Sequence, residues 1–324
     1  MRQLTYAQAI REAHAQLLRE DSRVFICGQG VWNPWYAGKS LLDLDKEFGR
    51  DRVLDCPVSE NATTAAGIGA AIAGMRPIVF HARMDFMLLA VDPIINQAAN
   101  WSYLFGGQGS VPIVIRCVIN RGGEQGAQHS QALHGLFTHV PGLKVVMPST
   151  PYDAKGLLIA SVRDRNPVLY IDDRWLYDDS GDVPEETYEV PIGKAAVRRQ
   201  GKDVTLAATS FMAAEAIQAV ETLAGLGVDV ELIDLRTVKP WDRDLVFSSV
   251  GKTGRLVIAD AAWHSGGVAA DVAATVTGEL FHALKAPILR VCLPDAPAPT
   301  SAVLERAYFI GPGDIVAAVQ KVLH

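Results

Sequence analysis

Short apolar runs alternate with stretches of helical periodicity along nearly all of the 324 residues. The runs "RVFICG" (23–28), "RPIVF" (76–80), "LKVVMP" (143–148) and "PVLYID" (167–172) are rich in β-branched residues, and three of them end at Gly, Pro or Asp, which predicts strands. "VPIVIRCVI" (111–119) is apolar at almost every position, as expected of a central strand covered on both faces. The second half repeats the scheme with "DVTLAATS", "VDVELIDL", "RLVIAD" and "PILRVCLP". Helical patterns occupy the amphipathic N-terminus, the Ala/Gly-rich stretch before residue 76, residues 152–163, 213–226 and 268–284. The alternation predicts an α/β protein with two mostly parallel sheets flanked by helices. The acidic, turn-rich stretch 174–192 interrupts it. The expected organisation is a domain over 1–178, a linker over 179–192 and a second domain over 193–324.

Composition narrows the functional classes. A formal charge of −6 offers no basic face for nucleic acid. No apolar run approaches the ~18–20 residues of a membrane span; the longest candidate, 65–75, stops at Arg76 and reads as a helix packed tightly inside protein. The N-terminus carries scattered charges and lacks the apolar core of a signal peptide. Cys27, Cys56, Cys117 and Cys292 are widely spaced without C-x-x-C, as expected of free thiols in a reducing cytoplasm.

Three stretches carry candidate chemistry. "CPVSENATTAAGIGAAIAGMRP" (56–77) sets one acid, Glu60, at the head of a helix of small residues, either as a first-turn acid or as a proton-holding group. Small residues also let two such helices meet closely at a subunit interface. "FHARMDFMLLAVDPIINQAANW" (80–101) places Phe86 near a helix start, as core or as a platform for a flat ring. "NRGGEQGAQHSQALHGLFTHVPG" (120–142) carries a central strand into a glycine-rich loop and then His129, a candidate proton carrier, with His134 and His139 beyond. The spacing of these histidines is a poor match to a zinc site. Neither "GQGVWN" nor "GIGAAIAG" completes a dinucleotide-binding G-x-G-x-x-G.

Taken in order, "RVLDCPVSE", "GAAIAGMRPIV", "DPIINQAA", "GGQGSVPIVIR", "GAQHSQAL", "HVPGLKVVMPSTPYDAKGLL", "IDLRTVKPWD" and "KTGRLVIADAAWHSGGVAADVAA" resemble the beta subunit of heterotetrameric, thiamine-diphosphate-dependent 2-oxo acid dehydrogenases of the pyruvate, branched-chain and acetoin types. The resemblance covers nearly the whole chain. It implies a transketolase-like pyrimidine-binding domain followed by a transketolase C-terminal domain. It further implies that Glu60 hydrogen-bonds the aminopyrimidine ring of thiamine diphosphate, that Phe86 stacks under that ring, and that His129 stands near the substrate carbonyl. An alpha subunit would hold the diphosphate and Mg2+. Agreeing with this, the Gly-Asp pairs at 181–182 and 313–314 are followed by no asparagine. The expected assembly is a cytoplasmic α2β2 heterotetramer, with acyl transfer to lipoamide on a partner acyltransferase. A potassium ion on backbone carbonyls of Ala160, Asp164 and Asn166 is also implied, with an ordinary helix C-terminal turn as the alternative.

The chain departs from the family pattern around the expected pocket. Gln29 stands where the family has an acid, so this cofactor-side position can hydrogen-bond but not readily relay a proton. His81 and Arg83 replace family residues, and Arg121 and Glu124 enter the glycine-rich loop; His81, Arg83 and Arg121 are therefore candidates for the substrate pocket. An arginine there would hold a carboxylate or phosphate, or else pair with Glu124 or Asp85. These changes keep two rivals open: a split transketolase or carboligase subunit passing a two-carbon unit to an aldehyde, and a non-enzymatic scaffold for an alpha subunit.

Overall fold

The computed structural model describes residues 2–33 and 35–324. They form two compact units, one from the residues up to Asn120 with Phe137–Ile192, the other from Arg121–Leu136 with Gly193–His324. The chain thus lends a sixteen-residue loop, containing His129 and His134, to the second unit before returning to the first.

The first unit is built on six parallel strands: β1 (Val24–Gly28), β2 (Val53–Asp55), β3 (Arg76–His81), β4 (Val114–Ile119), β5 (Lys144–Val146) and β6 (Val168–Asp173), in the order β5-β6-β4-β3-β1-β2. Central β4 is buried at all six positions, as its unbroken apolar run predicts. Its one charge, Arg116, is fully buried and forked onto Asp172 of β6, with Nε to Oδ1 at 3.0 Å and Nη2 to Oδ2 at 2.8 Å. Nη2 also donates to Ser40 Oγ, and Tyr177 donates its hydroxyl proton to Asp172. A buried charge needs such paired bonds.

Helix α1 (Tyr6–Glu20) starts at a capping box in which Thr5 Oγ1 accepts from the N–H of Gln8 and the Gln8 side chain accepts from the N–H of Thr5. It buries Tyr6, Ile10, Ala13 and Leu17 at helical spacing against α3 (Pro151–Arg163). Helix α2 (Glu60–Ile72) differs from the expectation of a helix enclosed by its own chain. It buries Thr64, Gly67, Ile68 and Ala71, while Ala65, Ala66, Gly69 and Ile72 face outward. Gly67 is needed, because a Cβ there would come within 2.6 Å of Val79 Cγ2. Gly69 has open space around it.

The acidic stretch after residue 178 packs on the first unit. Ser180–Val183 pairs antiparallel with Arg2–Thr5, Val190 donates its N–H to Gly156 O, and the buried Lys155 ammonium bonds Glu12 and the carbonyls of Pro184 and Glu185.

The second unit has β7 (Ala196–Arg199), β8 (Val204–Ala208), β9 (Val230–Asp234), β10 (Leu256–Trp263) and β11 (Leu289–Leu293) in the order β11-β10-β8-β9-β7, all parallel except β7. Its core joins Leu206, Leu232 and Val257 to Val220 of α4 (Ser210–Gly225) and Val319 of a C-terminal helix (Pro312–Leu323). Helix α5 (Val268–Leu280) is shorter than its apolar pattern predicts. A 3-10 turn at Phe281–Ala283 ends it, and Lys285 then donates its N–H to Gly254 O.

Candidate functional site

In open parallel sheets, ligands bind beyond the carboxyl ends of strands where the strand order reverses. In the first unit the chain passes from β1 to β2 on one side and then to β3 on the other, so the reversal lies at β1. A pocket sits there. Its walls are Gly28 and Gln29 after β1, Pro57, Ser59, Glu60 and Thr63 after β2, Phe80, His81 and Ala82 at the end of β3, and Phe86.

The close approach of β1 and β3 forms the floor. A Cβ on Gly28 would lie 2.3 Å from Phe80 O, so only glycine allows it. The turn that presents Gln29 is anchored by Asp55, whose Oδ1 accepts from the N–H groups of Gly30 (2.6 Å) and Val31 (3.2 Å). Glu60 opens α2 on the pocket wall, and among the described residues its carboxylate makes no hydrogen bond or ion pair. Thr63, one turn further along the same helix, joins it. Phe86 contributes a ring that is 36% exposed. His81 is buried, and its Nε2 lies 3.1 Å from Thr64 Oγ1. Burial lowers its pKa to about 4, so it is neutral at pH 7. The pocket therefore combines a carboxylate unbonded among the described residues, a partly exposed aromatic ring, an amide and a neutral imidazole. Such a set can grip a flat, nitrogen-bearing ring and control a proton on it.

Of the expected site residues, Gln29, Glu60, His81 and Phe86 meet here. Arg83 is half-buried just beyond β3 and donates from Nη1 to Ala82 O at 2.9 Å. Arg121 and His129 belong to the other unit. The Arg121 guanidinium lies over the Phe211 ring, 4.1 Å from its centroid. His129 is half-buried on a single 3-10 turn, Ala127–His129, after Gly126 with φ of 70°. His134 is fully buried with Nε2 2.9 Å from Asp260 Oδ1, a carboxylate that also accepts from Thr209 Oγ1 and the N–H of Ala262. The three histidines do not converge: among the described residues no three His, Cys, Asp or Glu side chains are grouped as metal ligands.

The implied potassium site does not fit. Asp164 N–H bonds Ala160 O, the Arg76 guanidinium donates to the carbonyls of Val162 (2.5 Å) and Asp164 (3.2 Å), and Lys144 pairs with the Asp164 carboxylate. Two cationic side chains already meet this turn, and a third positive charge would be repelled.

Sequence reading missed Asp55, Thr63, Thr64 and Asp260. Thr63 had a usable signal in its i+3 spacing from Glu60. Asp55 and Asp260 had none, because Asp55 acts on Gly30 and Val31 and Asp260 on His134 and Thr209, all far away along the chain.

Comparison with known proteins adds six findings. A transketolase pyrimidine-binding domain matches residues 2–178, and a transketolase C-terminal domain matches residues 193–315. The chain is 44% identical to the acetoin:2,6-dichlorophenolindophenol oxidoreductase subunit beta of Cupriavidus necator, over 99% of this chain and 98% of that protein. It is 41% identical to a pyruvate dehydrogenase E1 component subunit beta of Rhizobium meliloti, over the whole chain and 71% of that protein, and 38% identical to the 2-oxoisovalerate dehydrogenase subunit beta of Bacillus subtilis, over 98% of each. In fold, it superposes on a split-gene transketolase, described as an inactive beta4 tetramer, with a TM-score of 0.80 over 99% of this chain and 98% of that one, at 22% identity.

Proposed function

The chain belongs to the family of transketolase-type beta subunits of 2-oxo acid dehydrogenases, and we propose that its pocket at the end of β1 holds the pyrimidine end of thiamine diphosphate. The observation that carries this is Glu60: a carboxylate with no bonding partner among the described residues, on a wall shared with the partly exposed ring of Phe86. When bound, thiamine diphosphate supplies the electron sink for cleaving the bond beside a 2-oxo group.

This chain's residues do the rest of the work on their side. Glu60 holds a proton at the ring nitrogen facing it, and Phe86 supports the ring from below. Gln29, positioned through Asp55, adds a hydrogen bond but no ready proton. His81 stays neutral and donates or accepts without adding charge. Arg83, half-buried beside this pocket, serves the substrate side, where a 2-oxo acid brings a carboxylate. His129 serves as the proton-carrying group during acyl transfer, a role supported by the family resemblance and by its half-buried place on a glycine-rich loop.

The diphosphate and its Mg2+ fall to an alpha subunit in an α2β2 assembly, with a lipoyl acyltransferase taking the acyl group. The matched spans support a pyrimidine-binding domain over 1–178, a joining segment over 179–192 and a C-terminal domain over 193–324. Among the described residues no helix is long and apolar enough to cross a membrane, and all four cysteines are free; both support a cytoplasmic enzyme.

The test is co-expression with an alpha subunit of the same family, followed by a panel of 2-oxo acids with an artificial electron acceptor, with and without a lipoyl domain. Decarboxylation that needs both chains is the expected result. Turnover by this chain alone would overturn the reading. Two-carbon transfer to an aldehyde in place of oxidation would select the split-transketolase reading, which Gln29 in place of an acid keeps in view.

A further inference from the structure

The first unit holds a second cavity, of about 430 Å³, that the proposed reaction does not use. Small-molecule sites span ~300–1,000 Å³. Its lining residues all belong to the first unit. It lies at the opposite ends of the strands from the Glu60 pocket: Arg23 precedes β1, Arg76 opens β3, Pro112 stands just before β4 and Arg165 just before β6. Helix α2 reaches both places, with Glu60 at one pocket and Ile72 at the other, ~18 Å apart at 1.5 Å per residue.

Three guanidiniums line this cavity, and the fold neutralises only part of their charge. Asp21 Oδ2 accepts from Arg23 Nη2 at 2.8 Å and lies 3.8 Å from Arg76 Nε, so one carboxylate draws both side chains together. Arg76 also caps the C-terminal end of α3 through the carbonyls of Val162 and Asp164. The Asp164 carboxylate is taken by Lys144. Arg165 is exposed and makes no hydrogen bond or ion pair among the described residues. Burial and the Arg23 charge both lower the Arg76 pKa, the sign expected of crowded like charges. The remaining wall suits a flat ring. The half-buried Trp101 indole sets its Nε1 edge against Gly109, where a Cβ would come within 2.8 Å, and its centroid lies 4.5 Å from that of Phe105 at a tilt of 41°. These contacts hold the ring in place as a wall. Gln108 and Ser110 add an amide and a hydroxyl.

We propose that this cavity binds a nucleotide with two or three phosphates, Arg23, Arg76 and Arg165 taking the phosphate oxygens and Trp101 the base. Guanidinium forks match phosphate oxygens in pairs, and an indole stacks on any base. A carboxylate or a single phosphate would engage one fork and leave the others unanswered. The positive charge that repels potassium from the Ala160–Asn166 turn favours a polyanion beside it. The site stands apart from the Glu60 pocket, so its occupation needs neither thiamine diphosphate nor an alpha subunit.

The test is calorimetric titration of the full chain, without Mg2+ and at low ionic strength, with ATP, inorganic tripolyphosphate and adenosine as separate probes. One ATP should bind per chain, more tightly than tripolyphosphate and far more tightly than adenosine. Arg165→Ala removes no bond of the fold; it should weaken ATP and tripolyphosphate alike by about tenfold, and Arg165→Lys should recover part of the loss. Trp101→Leu should weaken ATP by about tenfold and leave tripolyphosphate unmoved. Trp101→Phe keeps a ring against Phe105 and should retain most of the ATP affinity should the leucine variant fold poorly. No saturable binding of ATP overturns the proposal, as does ATP binding that neither Arg165→Ala nor Arg23→Ala weakens. Tripolyphosphate bound as tightly as ATP, with Trp101→Leu without effect on either, overturns the nucleotide and leaves an unselective anion patch. ATP binding lost in Glu60→Gln would assign the nucleotide to the pyrimidine pocket and overturn the second site, whereas a chain that binds ATP here and acts on no 2-oxo acid overturns only the proposed function.

Discussion

Glu60 and Asp260 are carboxylates in the two halves of the molecule, and the chain treats them in opposite ways. Asp260 lies inside β10 with no exposed surface and bonds His134, Thr209 and the N–H of Ala262. Burial alone would push its pKa up, but the His134 ring and these bonds outweigh it and hold the carboxyl below its usual range. Glu60 begins a helix at a pocket wall, and the described residues give it nothing to bond. A carboxylate bonded by its own fold, here three times through Oδ1, secures that fold by fastening the 121–136 loop to β10. A carboxylate left bare is available to something that arrives later.

That contrast can be broken by experiment. The largest effect expected is from Glu60→Gln, which should lower turnover of the reconstituted enzyme by roughly 10²–10⁴ while the melting temperature stays within a degree or two, because no bond inside the chain is lost. Near-normal turnover would end the proton-holding role.

Asp260→Ala should do the reverse. It leaves His134 buried without its partner and should destabilise the second unit by about 3–5 kcal/mol in a urea titration. An unchanged midpoint would show that the pair does not hold the loop.

The third prediction concerns pH. His81 titrates near 4 when folded, below the ordinary ~6.5 of an unfolded histidine, so the unfolded chain binds more protons between those values. Its contribution to stability is complete above about pH 6.5 and falls by about 3 kcal/mol as the pH drops toward 4. His81→Gln should flatten that slope in thermal melts. Asp260, depressed as it is, should add its own loss only at lower pH, as acid falls through its folded value. A slope that survives His81→Gln would assign it elsewhere.

The smallest effect is an expected absence. Exchanging potassium for sodium at constant ionic strength should leave the melting curve unmoved, because Arg76 and Lys144 already meet the Ala160–Asn166 turn. A rise in melting temperature specific to potassium would restore the cation site.

Much of the fold was legible in the chain. Strands with unbroken apolar runs, such as Val114–Ile119, are readable because burial on both faces leaves no room for alternation. Gln29, Glu60, His81 and Phe86 come together because the first three lie at or just beyond the ends of neighbouring strands, a relation that topology converts into proximity. What stayed hidden depends on side chains reaching across long separations. Nothing near Arg121 announces that it stacks on Phe211, and nothing near Ala160 announces that Arg76 claims the carbonyls beside it. The helix beginning at Glu60 was legible as apolar, but a hydrophobic surface reads the same whether its own chain or another covers it.

The outward side of that helix therefore has a consequence for the cell. Ile72, Leu88, Leu89, Tyr103, Leu104 and Phe105 are all exposed in the first unit, and surfaces of this kind drive aggregation when left uncovered. Left bare at high concentration, such side chains would hold copies of the chain to one another, so the level of expression becomes as much a condition of solubility as any residue in the core.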